Sequence, residues 1–312
     1  MNSPHLEGLI AAPFTPFHPD DSLHLELIPA YYQMLKQNQV NGAFICGSTG
    51  EGVSLTYDEK LKVARAWADQ SKEDDQFKVI LFLGGTSINE SIALAREAQR
   101  IGIDAVASTA PYYFKPNHVN TLAECCIEIA HAVPALPYYY YHIPVLTGVE
   151  FSMLALLEQI DGKTTNFAGI KYTHEDLMDF AACVRYKDNK YDMLWGRDET
   201  WLAALAMGAK GAVGSTYNYA PKLYHDITTQ FNLGNLDQAR RLQLKAIDMI
   251  RLLGQYGGIA TGKAYMKWIG LDCGHFRLPV KNMDETNRIR FETEVDALKM
   301  DEYWSTLLLP QT

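Results

Sequence analysis

The run Asn166-Phe-Ala-Gly-Ile-Lys-Tyr-Thr173 decides how this chain folds. It is short, apolar and built largely of aromatic and β-branched residues, so Phe167–Tyr172 reads as a strand buried on both faces. Seven more runs of this kind lie to either side, at 9–13, 42–46, 78–83, 105–110, 137–142, 192–195 and 211–214. Helical patterns with start and stop signals separate them. Thr56 with Glu59 forms a capping box ahead of Val63, Ala66 and Trp67. Ser87 with Glu90 forms another ahead of Ile92, Ala95, Ala98 and Ile101, and Gly102 supplies the stop.

Strands covered on both faces and joined by crossover helices run parallel. Eight repeats without a break predict an α/β fold, a (β/α)8 barrel. A doubly wound open sheet is the alternative, ranked lower because no Gly-x-Gly-x-x-Gly follows the first strand. After about residue 217 the strand signal stops, and 221–231, 235–253 and 283–298 read as helices. Ala239, Leu242, Ala246, Ile250 and Leu253 fall on one stripe, which suits packing or a subunit interface. The expected organisation is a catalytic barrel over 1–220 and a helical extension over 221–312 packed on it as one unit.

The chain has 312 residues and a formal net charge of −9. No basic stretch could neutralise a phosphate backbone, so nucleic acid is not an expected partner. No apolar run approaches the roughly 18 residues of a membrane span. Residues 1–7 lack a basic and an apolar region, so no secretory leader is expected. Cys46, Cys125, Cys126, Cys183 and Cys273 are odd in number and follow no metal-binding spacing. Reduced thiols and a cytoplasmic location fit them best, with no metal expected.

Barrel enzymes carry their chemistry at the C-terminal ends of the strands. Polar residues at those ends are Gly47-Ser-Thr-Gly-Glu-Gly52, Pro111-Tyr-Tyr113, Tyr141, His142, Lys171, Thr173, Gly196-Arg-Asp-Glu199 and Gly214-Ser-Thr216. Lys171, at the end of a buried strand, is either a lysine snorkelling to water or an amine whose desolvation makes it nucleophilic. The glycine loop is either a plain turn or a nest of amides for a carboxylate or phosphate. Tyr139 and Tyr141 share one strand face, and Tyr141 is placed to carry a proton beside Lys171 unless it is merely part of a tyrosine rim. Asp198, Glu199 and Ser215 suit a polyhydroxylated ligand, while Asp198 and Glu199 also suit helix capping. His142 and His174 read as hydrogen-bonded structural histidines. Lys263, in an apolar helical segment, is the rival nucleophile.

Several of these motifs, in this order, resemble the pyruvate-dependent class I aldolases that include N-acetylneuraminate lyase and dihydrodipicolinate synthase. The resemblance runs from Ala12-Pro-Phe-Thr-Pro16 to Arg277-Leu-Pro279 through Gly47-Ser-Thr-Gly-Glu51, Pro111-Tyr-Tyr113, Tyr141-His-Ile-Pro144 and Gly169-Ile-Lys171. It implies a Schiff-base role for Lys171 and proton transfer by Tyr141. The backbone of Ser48 and Thr49 would hold the keto acid's carboxylate, with the Ser48 hydroxyl in a proton relay. Tyr113 would complete that relay in a neighbouring subunit, within a homotetramer. Dihydrodipicolinate synthases carry an arginine shortly after the catalytic tyrosine; Leu146 stands there in this chain. Thr173, Gly196, Asp198, Glu199 and Ser215 look instead like the sugar-contacting set of the sialic acid lyases. One departure is His142, where many bacterial lyases have asparagine; Arg197 sits at a variable spot. The implied reaction is cleavage of sialic acid to N-acetylmannosamine and pyruvate, with no cofactor. Other pyruvate aldolases, including dihydrodipicolinate synthase, and a keto-acid-binding module without turnover are the alternatives.

Overall fold

The computed structural model describes residues 5–307. Its eight strands are β1 (Gly8–Ala11), β2 (Gly42–Ile45), β3 (Lys78–Gly84), β4 (Ala105–Ser108), β5 (Tyr138–His142), β6 (Phe167–Tyr172), β7 (Asp192–Trp195) and β8 (Gly211–Gly214). They pair in parallel in chain order, and β1 closes on β8 with Gly8 against Gly211 and Ala11 against Gly214. That closure makes the expected (β/α)8 barrel and rules out the open sheet. Ile10, Phe44, Ile80, Phe82, Tyr139, Tyr141, Leu194 and Val213 fill the interior, and the alternate residues pack outward on the helices.

The first four crossover helices are α1 (Ile28–Gln37), α2 (Tyr57–Ser71), α3 (Ile88–Ile101) and α4 (Val119–Ala132). Thr56 and Glu59 form both halves of the expected capping box on α2. On α3 only half forms: Ser87 accepts from the Glu90 amide, while the Glu90 carboxylate lies 3.9 Å from Lys60. Gly102 ends α3 in the left-handed region, as expected. Four short helices follow: α5 (Pro144–Thr147), α6 (Met153–Ile160), α7 (Leu177–Val184) and α8 (Trp201–Ala206).

Past β8 the described chain is helical: α9 (Pro221–Asn232), α10 (Leu236–Gln255), α11 (Thr261–Trp268) and α12 (Glu285–Ala297). Leu242, Met249, Tyr265 and Phe291 from these helices share one apolar core with the barrel's outer face. The buried face of α10 runs through Ala239, Leu242, Ala246, Met249 and Leu252, so Ile250 and Leu253 of the expected stripe stand only half-buried at its edge. No helix among the described residues is long and apolar enough to cross a membrane.

One irregularity positions the site. Tyr138 of β5 pairs with Phe167 of β6, but Tyr139 pairs with Gly169, so β6 carries one extra residue opposite β5. Strict alternation would send Lys171 to the same face as Phe167, outward under the helices. The bulge reverses the parity, and Lys171 registers with Tyr141 and Leu194, both interior residues. Gly169 fits because a Cβ there would lie 1.8 Å from the Asp192 carbonyl oxygen.

Candidate active site

Lys171 lies at the C-terminal end of β6 and is 4% exposed. Its Nζ sits 3.9 Å from the Phe44 ring centroid and 4.0 Å from that of Tyr141. Burial pushes its pKa down to about 7, and the charge of Asp198 opposes this only in part. A large share of the amine is therefore unprotonated at neutral pH, which a nucleophile requires. The snorkelling alternative fails because the head group is enclosed.

Tyr141, one register pair away on β5, is buried. Its hydroxyl lies 3.5 Å from that of Ser48. Burial raises the pKa of the phenol, with the Ser48 hydroxyl pulling the other way. Tyr139 points inward lower in the barrel and donates to Asp192 (2.9 Å), so only Tyr141 of the inward pair faces the lysine.

Ser48 and Thr49 belong to the loop that leaves β2. Among the described residues, their amides donate to no protein acceptor. Successive backbone amides left free in this way are able to hold an anion. The loop is tightly fixed: Thr15 donates to the Gly50 carbonyl (2.6 Å), and a Cβ at Gly52 would lie 1.6 Å from the Cys46 carbonyl oxygen. Cys46 and Glu51 adopt positive φ of 56° although neither is glycine.

Across the mouth from this loop, Thr173, Gly196, Arg197, Asp198, Glu199, Gly214 and Ser215 line the same cavity as Thr49, Tyr141 and Lys171. Asp198 is buried and accepts from the amide (3.0 Å) and hydroxyl (2.7 Å) of Thr216 through one carboxylate oxygen. Burial, reinforced by Glu199, raises its pKa to about 6 against the pull of Thr216 and Lys171. Its other oxygen and the Thr173 hydroxyl are buried without a hydrogen-bond partner. Two unpartnered polar atoms on one cavity wall offer hydrogen bonds to ligand hydroxyls. Arg197 bridges Glu175 and Glu199, the latter at 3.0 Å. Two other hollows, one including Asp192 and Lys210 and one including Asp104 and Pro137, lie at the opposite strand ends.

The remaining expected residues stand elsewhere. Tyr113 is 77% exposed and stacks edge-on with Phe114, outside this cavity within one chain. Leu146, in α5, is also exposed. His142 faces outward, buried among Tyr140, Tyr172 and His174. The expectation that it is hydrogen-bonded does not hold, since neither ring nitrogen has a partner. Desolvation accordingly lowers its pKa to about 4. Lys263 is no rival: it is sealed in an ion pair with Glu51 at 2.9 Å.

Four supporting residues escaped the sequence reading. Phe44 floors the lysine pocket. Gly214 clears room for Asp198, whose carboxylate oxygen would lie 1.9 Å from a Cβ there. Gln243 of α10 donates to the Asp198 carbonyl (3.2 Å) and accepts from the Leu202 amide (2.9 Å). Asn218 donates to the Ala12 carbonyl (2.7 Å) and to the Ser215 carbonyl (2.8 Å), tying the loop after β8 to β1. Gly214 sits in a quoted motif and Asn218 two residues past its end; Phe44 and Gln243 carry no local signal.

Comparison with known proteins is consistent with this geometry. N-acetylneuraminate lyase A of Xenopus laevis is 39% identical over 88% of this chain and 90% of its own length. The structure of the N-acetylneuraminate lyase of Proteus mirabilis superposes with a TM-score of 0.91 at 36% identity, covering 95% of this chain and all of that one. That of the N-acetylneuraminate lyase (sialic acid aldolase) of Aliivibrio salmonicida superposes with a TM-score of 0.92 at 34% identity, covering 96% and 98%. The model of the dihydrodipicolinate synthetase family matches residues 5–298, and with a buried strand-end lysine, a tyrosine beside it and a glycine loop opposite, this chain belongs to that family.

Proposed function

We propose that this chain cleaves N-acetylneuraminate to N-acetylmannosamine and pyruvate, reversibly, as a carbon–carbon lyase of the class I aldolase type. One observation carries the reading: an enclosed lysine amine near neutral pKa faces a wall with two orphaned polar atoms, Thr173 Oγ1 and Asp198 Oδ1. The amine suits a ketone and the wall suits a polyol. The names of the relatives at 34–39% identity point the same way.

In this reading the amides of Ser48 and Thr49 hold the carboxylate of the open-chain sugar acid. Lys171 Nζ attacks the C2 ketone, and loss of water leaves a protonated imine. The imine draws the C3–C4 bonding pair, while Tyr141 takes the proton from the C4 hydroxyl. N-acetylmannosamine departs, the enamine is protonated at C3, and hydrolysis releases pyruvate and the free amine. A phenol whose pKa burial has raised is a poor base unaided, which is why Ser48 matters: its hydroxyl offers a route for the proton. Thr173, Gly196, Asp198, Glu199 and Ser215 hold the sugar hydroxyls, with Asp198 anchored by Thr216.

The Tyr113 ring completes the relay in a second copy of the chain, in a tetramer. This is supported by exposed apolar side chains on the segments that follow β4, β5 and β6, namely Tyr112, Tyr113 and Phe114, Val145 and Leu146 of α5, and Met178 of α7. Five cysteines without disulfides among the described residues fit a cytoplasmic setting. The deciding assay is release of N-acetylmannosamine from N-acetylneuraminate, run beside condensation of pyruvate with aspartate semialdehyde. The first reaction is expected, and turnover only with the semialdehyde would overturn the assignment.

A further inference from the structure

Glu51 is an acidic residue in a conformation that side chains avoid, with its carboxylate buried, on the loop that presents Ser48 and Thr49. It must be held there by something. Lys263 of α11 donates to it at 2.9 Å, and the Arg277 amide donates to its other oxygen at 2.8 Å. Lys263 also donates to the His275 carbonyl (2.5 Å) and lies over the Phe17 and Phe276 rings. The Arg277 guanidinium grips Glu59, the residue that closes the capping box at the start of α2, at 2.6 and 3.1 Å. The two ends of the segment 51–59 are therefore both fastened to residues more than 210 positions later in the chain.

We propose that Glu51, Lys263 and Arg277 form a clamp through which the C-terminal helical region sets the anion-binding loop, making them positioning residues for the keto acid's carboxylate. The clamp rests on the carboxylate-binding reading of Ser48 and Thr49 given above. A nest of amides binds an anion only when its N–H groups converge, and convergence here requires the left-handed turn at Glu51. A buried pair that loses one partner leaves an uncompensated charge, so the turn relaxes rather than persisting.

The test separates carboxylate binding from imine chemistry. Borohydride trapping on Lys171, followed by intact mass, is compared for pyruvate and for hydroxyacetone, a ketone with no carboxylate. In Lys263→Met the pyruvate concentration for half-maximal trapping is expected to rise about tenfold, the loss of roughly one charge-assisted contact. Trapping of hydroxyacetone stays within twofold. The double variant Glu51→Gln/Lys263→Met buries no lone charge, so it serves if the single variant does not fold, and the same loss of preference is expected. A folded variant with wild-type preference for pyruvate overturns the clamp. Absence of any pyruvate adduct on the wild-type chain overturns instead the reading on which the clamp rests. A fall in melting temperature with the preference retained would mark the cluster as structural only, and would overturn the proposal as well.

Discussion

Of three lysines buried to nearly the same degree among the described residues, two sit in aromatic surroundings, Lys171 at 4% exposure and Lys263 at 3%. Each rests over two aromatic rings: Lys171 at 3.9 and 4.0 Å, Lys263 at 4.6 and 4.8 Å. Burial lowers both pKa values. What differs is the partner. Lys263 has a carboxylate at 2.9 Å and a carbonyl at 2.5 Å, which favour its ammonium form. The acid whose charge acts on Lys171 is Asp198, whose carboxylate already accepts two bonds from Thr216 and is itself pushed toward neutrality. An aromatic box and exclusion of water are thus common to the ion-paired lysine and to the one proposed as nucleophile, and the withheld carboxylate separates them.

That contrast is broken most directly by removing each amine. Lys171→Ala is expected to lose all pyruvate–borohydride adduct and on the order of 10⁴-fold or more in turnover of N-acetylneuraminate, the scale seen when a covalent nucleophile is deleted. Lys263→Met is expected to keep its adduct on Lys171. Finding the adduct on Lys263 in peptide maps would invert the comparison. The proton carrier comes next. Tyr141→Phe keeps the ring beneath Lys171, so imine formation with pyruvate should persist, while kcat for cleavage falls by about 10²–10⁴-fold. A variant turning over within tenfold of wild type would remove Tyr141 from the proposed mechanism.

How much of this could be read from the residues alone follows from how local each cause is. The eight strands were legible because apolar runs and caps are local, and strands β6, β7 and β8 keep their expected limits to the residue. The place of Lys171 at the end of a buried strand was legible from the run it closes. Its orientation was not: one inserted residue in β6 reverses which face Lys171 takes, and only the paired strand reveals it. Gly169 was the available hint, since glycine inside a strand marks bulges and close approach. The partners that separate Lys171 from Lys263 were also hidden, because Glu51 and Lys263 stand 212 residues apart. The same holds for Gln243, whose reach from α10 to Asp198 has no sequence pattern behind it.

His142 extends the comparison to a different base. Like Lys171 it is buried without an ionic partner, and its pKa is lowered to about 4. The unfolded imidazole takes its proton near 6.5, so between about 6.5 and 4 the unfolded chain binds more protons than the folded one. Stability is therefore lost as pH falls through that window. His142→Phe keeps an aromatic body without a titrating nitrogen. It should remove on the order of 3 kcal/mol of the acid-induced loss between those limits, read as the difference in unfolding free energy by urea titration at each pH. Parallel curves for variant and wild type would mean that His142 takes its proton in the fold as readily as in the unfolded chain, and that burial alone does not set its state.

The smallest expected effect is the most discriminating, because it titrates the withheld carboxylate itself. If Lys171 loses its proton near pH 7, the rate of imine formation with pyruvate should rise about tenfold per unit below that value and flatten above it. An amine paired as Lys263 is would stay protonated higher, and the rate would climb well past neutrality. Asp198→Asn removes the one charge that favours the ammonium form of Lys171. Its profile should therefore bend at lower pH than wild type, with the plateau for pyruvate unchanged within about twofold, since the sugar wall does not touch the keto acid. A bend that does not move would mean that Asp198 is held neutral beside the lysine and that its charge does not act there.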